Sequence, residues 1–363
     1  MELLIYHPTT LELLEVAPNT IYASWTRRLY EAGSFEIALP SQGKGVEQCK
    51  IGNIIRQGKN SGIIRYISQT TNRGQNEIRL MGQTLQGLCC DRIIVPPFFY
   101  MTGTIDPLYS YDRIKGSGEA VMKHYVETQI TQATDTERRI AKFTVASNLN
   151  RGKSQMAWQA KFTRLSDELM EIGRYTELGW SVDLDAANKR LVFDVIDGIH
   201  RESSQSDVAP VIFYRGMRNV ESTQYTNDQN AAINTVYTAG NGEEEKQYVT
   251  KNGGGTGILR REGYNSVASD DVDEVADGSK AYLKENEPKE TIEAVSNGRT
   301  EYRIDWDLGD FVTVMDNVCG TLLRLDKQIT EVEERYEHGI SEIRPVFGEK
   351  KESVLKTLRR GLT

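Results

Sequence analysis

The sequence predicts an α+β protein that is mainly β: two related, small, barrel-like β-domains, an α+β module between them and a helical insertion. Three observations carry this. Short apolar-rich runs recur at even spacing between turn residues through the first hundred positions. The 31 glycines and 17 tyrosines outnumber the 9 prolines, which favours turns and strands over a helical bundle. A Gly-Asx hairpin pattern near position 52 also returns near position 309.

In chain order, the runs at 2–6, 11–16, 21–29, 34–39, 51–57, 63–70 and 76–82 read as strands. Pro8, Pro18-Asn19, Ala32-Gly33, Pro40, Lys59-Asn60 and Arg73-Gly74 separate them, and Pro96-Pro97 closes this first β-domain, residues 1–100. The module at 101–209 changes character. Val121, Met122, Tyr125, Val126 and Ile130 share one helical face, and Phe162, Leu165, Leu169 and Ile172 form a second stripe. Residues 180–183 and 190–194 alternate around Asp185–Asn188 as a hairpin. Strands are expected again at 211–214, 231–238, 246–251 and 257–262. A helical insertion follows at 266–298, where Val272, Val275, Ala276, Ser279 and Leu283 share a face among nine acids and three lysines, a solvated surface. Residues 302–305, 311–314, 321–325 and 328–336 return to β. The second β-domain thus comprises 210–265 and 299–349, with a basic tail at 350–363.

The internal echo is specific in order. Gly52-Asn53-Ile54-Ile55 leads to Gly62-Ile63-Ile64 and then Ile67-Ser68-Gln69. Gly309-Asp310-Phe311-Val312 leads to Gly320-Thr321-Leu322 and then Ile329-Thr330-Glu331. Both read as a Gly-Asx turn, a strand, a Gly-led return and a second strand. Gly52, Asn53, Gly309 and Asp310 are therefore candidate structural turns. A side-chain bond from Asp310 to an N–H two residues on would close the second one.

A chain of 363 residues, 38% hydrophobic and 26% charged, is that of a folded protein with two to three domains. The apolar run 93–101 contains two prolines and is too short to span a bilayer, and the N-terminus has no secretory-signal pattern. The net charge of −8, from 44 Lys+Arg and 52 Asp+Glu, argues against stable nucleic-acid binding. Cys49, Cys89, Cys90 and Cys319 form no C-x-x-C pattern, in keeping with synthesis in a reducing cytoplasm.

Catalytic, cofactor and metal signatures are not expected. The stretch Ser147 to Ser154 ends in Gly152-Lys153-Ser154 but lacks the first glycine of a phosphate loop, and reads as a polar loop. The glycine run 252–257 has no dinucleotide register and reads as a flexible hairpin tip. His7, His124, His200 and His338 are scattered singly, and no G-x-S-x-G elbow occurs. A wall hydrolase using unrecognised carboxylates, or a glycan- or receptor-binding module stacking sugars near Trp158 and Trp180, are the alternatives to a structural role.

Read in order, the chain resembles the siphophage-type tail hub family, also called tail-associated or baseplate hub proteins and found in prophage-derived tail-like particles. The resemblance rests on the segment from Trp25 through Gly33 and Phe35 to Pro40, on Gly62-Ile63-Ile64, on Met81-Gly82-Gln83, and on Asp91-Arg92-Ile93. It continues through Glu177-Leu178-Gly179-Trp180, Val211-Ile212-Phe213 and Asp307-Leu308-Gly309-Asp310 to Ile329-Thr330-Glu331, and so covers the chain to about Gly348.

That resemblance implies a homotrimer whose two β-domains per chain make a pseudo-sixfold ring continuing the tail tube. The implied partners are a tail tube or distal tail protein, a tape-measure protein, and tip, spike or fibre proteins. The implied place is the tip of a virion or tail-like particle, with a channel whose acidic balance lets DNA pass. The chain stops about fifteen residues beyond Phe347-Gly348, so wall cleavage is expected from a separate chain.

Overall fold

The computed structural model describes residues 2–72, 75–96, 110–152, 155–242, 247–337 and 339–348. Pro97, the Lys153-Ser154 end of the phosphate-loop candidate, His338 and the basic tail at 350–363 lie outside the described residues.

Seven strands build the first unit: β1 Leu3–Tyr6, β2 Leu13–Ala17, β3 Tyr22–Arg28, β4 Ser34–Pro40, β5 Ile54–Gln57, β6 Asn60–Asn72 and β7 Gln75–Thr84. Each overlaps a run expected from the sequence. They lie in the order β2-β1-β5-β6-β7-β4-β3, with every neighbouring pair antiparallel. Along β4, Phe35, Ile37 and Leu39 turn inward to meet Leu3, Ile5, Trp25, Ile55, Ile64 and Leu80, while Ser34 and Glu36 stay half-buried. Phe35 fits because two neighbours have no side chain. A Cβ on Gly82 would sit 1.9 Å from the Ile63 carbonyl oxygen and 2.7 Å from Phe35 Cζ, and one on Gly62 would sit 2.7 Å from Phe35 Cε1. A helical turn, α1 Gly87–Cys90, closes the unit.

The module that follows packs beneath this unit. β8 Asp112–Gly116 pairs with β10 Met156–Ala160. β9 Phe143–Val145 runs parallel to β12 Arg190–Ile196, which forms the expected hairpin with β11 Gly179–Asp185. Helix α2, Gly118–Val126, starts where the Ser117 hydroxyl accepts the Ala120 N–H at 3.2 Å, and a π-turn, Glu127–Thr131, extends it. Helix α3, Leu165–Thr176, ends at Glu177 in the left-handed region, φ 61°. Their apolar faces share a core with Tyr6, Ile54 and Ile63 of the first unit.

Inside this module a fully buried carboxylate is satisfied on all sides. Glu119 Oε1 receives Lys123 Nζ and Arg151 Nη2, each at 2.7 Å. Its Oε2 accepts the N–H groups of Leu149 and Arg151 at 3.0 and 2.9 Å. Burial alone would raise its pKa. The Arg151 and Lys123 bonds outweigh burial and hold the carboxyl down at about 2. A depressed folded-state pKa means stability that is present above about 4.5 and lost as pH falls toward about 2. Unfolding free energy measured across that window should fall with acid in the wild type and less steeply in Glu119→Gln.

The second unit draws on β13 His200–Arg201, β14 Ile212–Tyr214 and β15 Val220–Asp228. A side sheet of β16 Thr235–Ala239, β17 Val249–Gly253 and β18 Glu262–Ser266 follows, flanked by helix α4, Val272–Glu285. β19 Lys289–Ser296, β20 Phe311–Val318, β21 Thr321–Glu337 and β22 Ile340–Phe347 complete it. Its core gathers Phe213, Ile292, Trp306, Val312, Val314, Ile329 and Phe347.

The protein is mainly β with helical additions, as expected, but the two units are not closed barrels. They share one open sheet in the order β15-β19-β22-β21-β3-β4-β7-β6-β5-β1-β2, joined where β3 pairs with β21. Other expectations need correction. The helix foreseen across 266–298 ends at Glu285, and after Pro288 the chain becomes β19, because proline removes the N–H that would continue the helix. Residues 257–262 hold a 3₁₀ turn, Gly257–Leu259, before β18 begins. Residues 302–305 form a turn bridged from Tyr302 to Trp306. Residues 321–325 and 328–336 are a single strand, β21. The glycine run is not a loose tip either. Gly253 ends β17 at φ +82°, where a Cβ would lie 2.2 Å from the Asn234 carbonyl oxygen.

Candidate assembly site

The two units repeat one construction, with β5-β6-β7 corresponding to β20-β21-β22. Gly52 and Gly309 both take positive φ, +90° and +99°. The Gly52 N–H donates to the Ile64 carbonyl at 2.9 Å, and the Gly309 N–H donates to that of Ile329 at 2.9 Å. The return bonds match as well, from Ile64 N–H to the Asn53 carbonyl at 3.0 Å and from Ile329 N–H to that of Asp310 at 2.9 Å. A bulge follows each isoleucine. From there the pairing runs Ile64–Gly82–Phe35–Trp25 in the first unit. In the second it runs Ile329–Phe347–Ile292–Tyr225. β3 therefore corresponds to β15, and β4 to β19.

The turns differ in what their Asx side chains do. Asn53 donates from Nδ2 to the Gln48 carbonyl at 2.9 Å. Asp310 is buried and reaches further. It accepts the Ile199 N–H at 2.9 Å, Arg201 Nε at 3.0 Å and the Asp307 N–H at 3.1 Å. It thus ties β13 to the turn and bonds backward, rather than to an N–H two residues on.

Between the units, β3 runs antiparallel to β21 from Arg28 opposite Glu331 to Tyr22 opposite Glu337. Arg28 Nε meets Glu331 Oε2 at 2.7 Å on this seam, and Ser24 Oγ donates to Glu333 Oε1 at 3.1 Å. Beneath it, Glu334 is buried and accepts Arg303 Nη2 at 2.6 Å, Tyr336 OH at 2.7 Å and Asn60 Nδ2 at 3.0 Å. Arg303 Nη2 also donates to Asn60 Oδ1 at 2.7 Å, so one cluster draws on both units. Beside it, Arg27 Nη1 donates to Asp307 Oδ1 at 2.7 Å and to the hydroxyl of Tyr302, which burial pushes up to about 12.

Of the motif residues, Trp25, Phe35, Gly62 and Gly82 form one packing unit, and Gly33 sits between β3 and β4 against Thr26 and Thr84. The Trp25 and Phe35 rings are 4.9 Å apart, Trp25 Nε1 donates to Gln57 Oε1 at 2.9 Å, and a Cβ on Gly33 would lie 2.1 Å from the Thr26 carbonyl oxygen. Pro40 simply ends β4. Arg92 lies apart, donating to the Arg138 carbonyl at 3.2 Å. Trp180 fastens the module to the seam, its ring N–H reaching the Tyr30 carbonyl at 2.9 Å.

In the polar loop at 147–152 the N–H groups of Leu149 and Arg151 are both taken up by Glu119. The described histidines have local partners: His7 Nδ1 accepts the Thr9 and Thr10 N–H groups, His124 meets Asp112, and His200 meets Glu202. Among the described residues no group of three or more His, Cys, Asp or Glu is placed to hold a metal. A cleft of ≈ 520 Å³ between α3, α4 and β10 is lined by Trp158, Glu168, Glu171, Tyr282 and Glu285. Burial, with Glu168 and Glu285 nearby, pushes Glu171 up to about 8. Glu168 is committed to Trp158 Nε1 at 2.9 Å and Thr163 Oγ1 at 2.7 Å. Trp180 is fully buried, whereas Trp158 is 8% exposed and lines this cleft.

The sequence matches the family described as Siphovirus ReqiPepy6 Gp37-like protein over residues 2–349. Among curated proteins none matches it. Three solved structures share its fold along nearly the whole of both chains. The prophage MuSo2 43 kDa tail protein from Shewanella oneidensis aligns with TM-score 0.58 at 11% identity, covering 96% of this chain and 98% of that one. The tail protein from Neisseria meningitidis MC58 gives 0.55 at 15%, covering 96% of each. The prophage tail protein gp18 from Listeria monocytogenes EGD-e gives 0.55 at 13%, covering 99% and 98%. At these identities the likeness is one of fold.

Proposed function

The chain belongs to the Siphovirus ReqiPepy6 Gp37-like protein family, and on that premise we propose that it is a structural hub at the distal end of a phage or phage-like tail. It forms a homotrimeric ring that joins a sixfold tail tube to threefold tip components and leaves a channel for DNA or the tape-measure protein. The observation that carries this reading is the duplication: two units with the same strand order, turn bonds and bulge, set side by side in one sheet. Three such chains supply six similar units, so one face meets a sixfold partner while the chain itself repeats three times. Closed rotational assembly of this kind uses head-to-tail contacts. The protein works by assembly and not by turnover, and its partners are the tail tube or distal tail protein on one side and tip, spike or fibre proteins on the other. A net charge of −8 suits a channel that DNA traverses without being held.

Electron microscopy of the assembled tail tests this. Density for three copies, resolving six β-units around the axis, is the expected result. A monomer or six copies at the tip would overturn it.

A further inference from the structure

One strand edge in each unit corresponds to the seam without taking part in it. In the second unit β20 covers β21 only as far as Gln328, and from Glu331 onward β3 takes that side. In the first unit β5 covers β6 only as far as Ile63, and residues 66–72 pair with β7 on the other side alone. Ile64 corresponds to Ile329, so residues 66–72 are the counterpart of residues 331–337, which receive β3. The counterpart of β3 is β15, which pairs with β19 and forms the end of the sheet. Among the described residues, the chain therefore holds one completed seam, one receiving edge and one donating edge.

Both edges are suited to strand addition. Ser68-Gln69-Thr70 and Ser222-Thr223-Gln224-Tyr225-Thr226-Asn227 contain no charge and no proline, and they are rich in threonine. Edges kept apart by evolution carry lysine, proline or a covering segment instead.

We propose that β15 of one copy adds antiparallel to β6 of the next copy and so repeats the β3–β21 seam between chains. Carrying over the observed register sets Ile67 opposite Asn227, Gln69 opposite Tyr225 and Thr70 opposite Gln224. Each copy gives one edge and receives one, a head-to-tail contact that must close on itself or grow into a filament. Closure rests on the ring reading above, whereas the strand pair itself does not.

The test uses the full chain with Cys319→Asn, which removes an exposed thiol from a turn at φ 51°. Thr70→Cys with Gln224→Cys, and separately Gln69→Cys with Tyr225→Cys, sample the two alternating classes of antiparallel pair, whose Cα separations suit a disulfide. Thr70 and Gln224 are both exposed, so the first pair leaves the fold intact. Mild oxidation should give disulfide-linked oligomers from a double variant, ending in one closed species, and none from either single variant. Rings seen by microscopy without a crosslink in either pair would overturn the strand pair and leave the hub reading standing. Crosslinked open chains would uphold the pair and overturn closure. A chain that stays monomeric and uncrosslinked at its highest soluble concentration would overturn both.

Discussion

Gly309→Val is expected to lower the unfolding free energy by about 3 kcal/mol, combining left-handed strain with overpacking. The glycine sits at φ +99°, and a Cβ there would lie 2.9 Å from Ile196 Cγ2 and 3.2 Å from Leu29 Cδ1. Its carbonyl accepts Gln328 Nε2 at 3.0 Å, and the backbone of Gly198 crowds it, so the turn cannot swing away. Gly52→Val separates the two contributions. Its φ is +90°, yet nothing lies within 4 Å of a Cβ, so strain alone should cost about 1–2 kcal/mol. Gly254→Val, open on all sides and outside the left-handed region, should be near neutral. Denaturant unfolding of the three variants checks the order, and equal losses at 309 and 52 would remove the packing argument.

Glu334→Ala is expected to cost about 3–5 kcal/mol, the usual loss when one partner of a buried ion pair is removed. Alanine would leave Arg303 without its carboxylate and strip Asn60 and Tyr336 of their acceptor beneath the seam. Replacing both ions by apolar residues, Arg303→Met with Glu334→Leu, should recover most of that loss, because the uncompensated charge disappears. A double-mutant cycle by chemical unfolding measures the coupling directly. A small loss in Glu334→Ala would show that the cluster does not hold the seam, and no recovery in the double variant would assign the loss to the orphaned Asn60 and Tyr336 donors instead of the uncompensated charge.

The first seven strands were legible because glycine, proline and asparagine mark each turn and alternation marks each inner face, as along Phe35, Ile37 and Leu39. β15 left no such trace. After Val220 it reads Glu-Ser-Thr-Gln-Tyr-Thr-Asn-Asp, since an edge strand with one paired side buries little. β19 was hidden behind the acidic helix pattern that precedes Pro288, although Thr291 to Val295 carries a short apolar run. β21 looked like two strands because Asp326-Lys327 interrupts its apolar residues, and that half pairs with β20 near solvent. Barrel closure was a reasonable expectation from strand spacing, but pairing across 300 residues, as between Arg28 and Glu331, has no local signature. The Gly-Asx echo was visible as a pattern. The reach of Asp310 to Arg201, more than a hundred residues away, was not.

Because the β3–β21 seam lies within one chain, it closes while the chain folds and needs no encounter between molecules. Each association event costs an estimated 4–15 kcal/mol of translational and rotational freedom. A covalent tether replaces that cost with a far smaller loop-closure term by raising the local concentration of one edge around the other. In a ring of such chains every second joint is therefore prepaid, so joint formation becomes concentration-dependent only at the alternate positions. The same tether fixes composition, since neither unit can be present without the other.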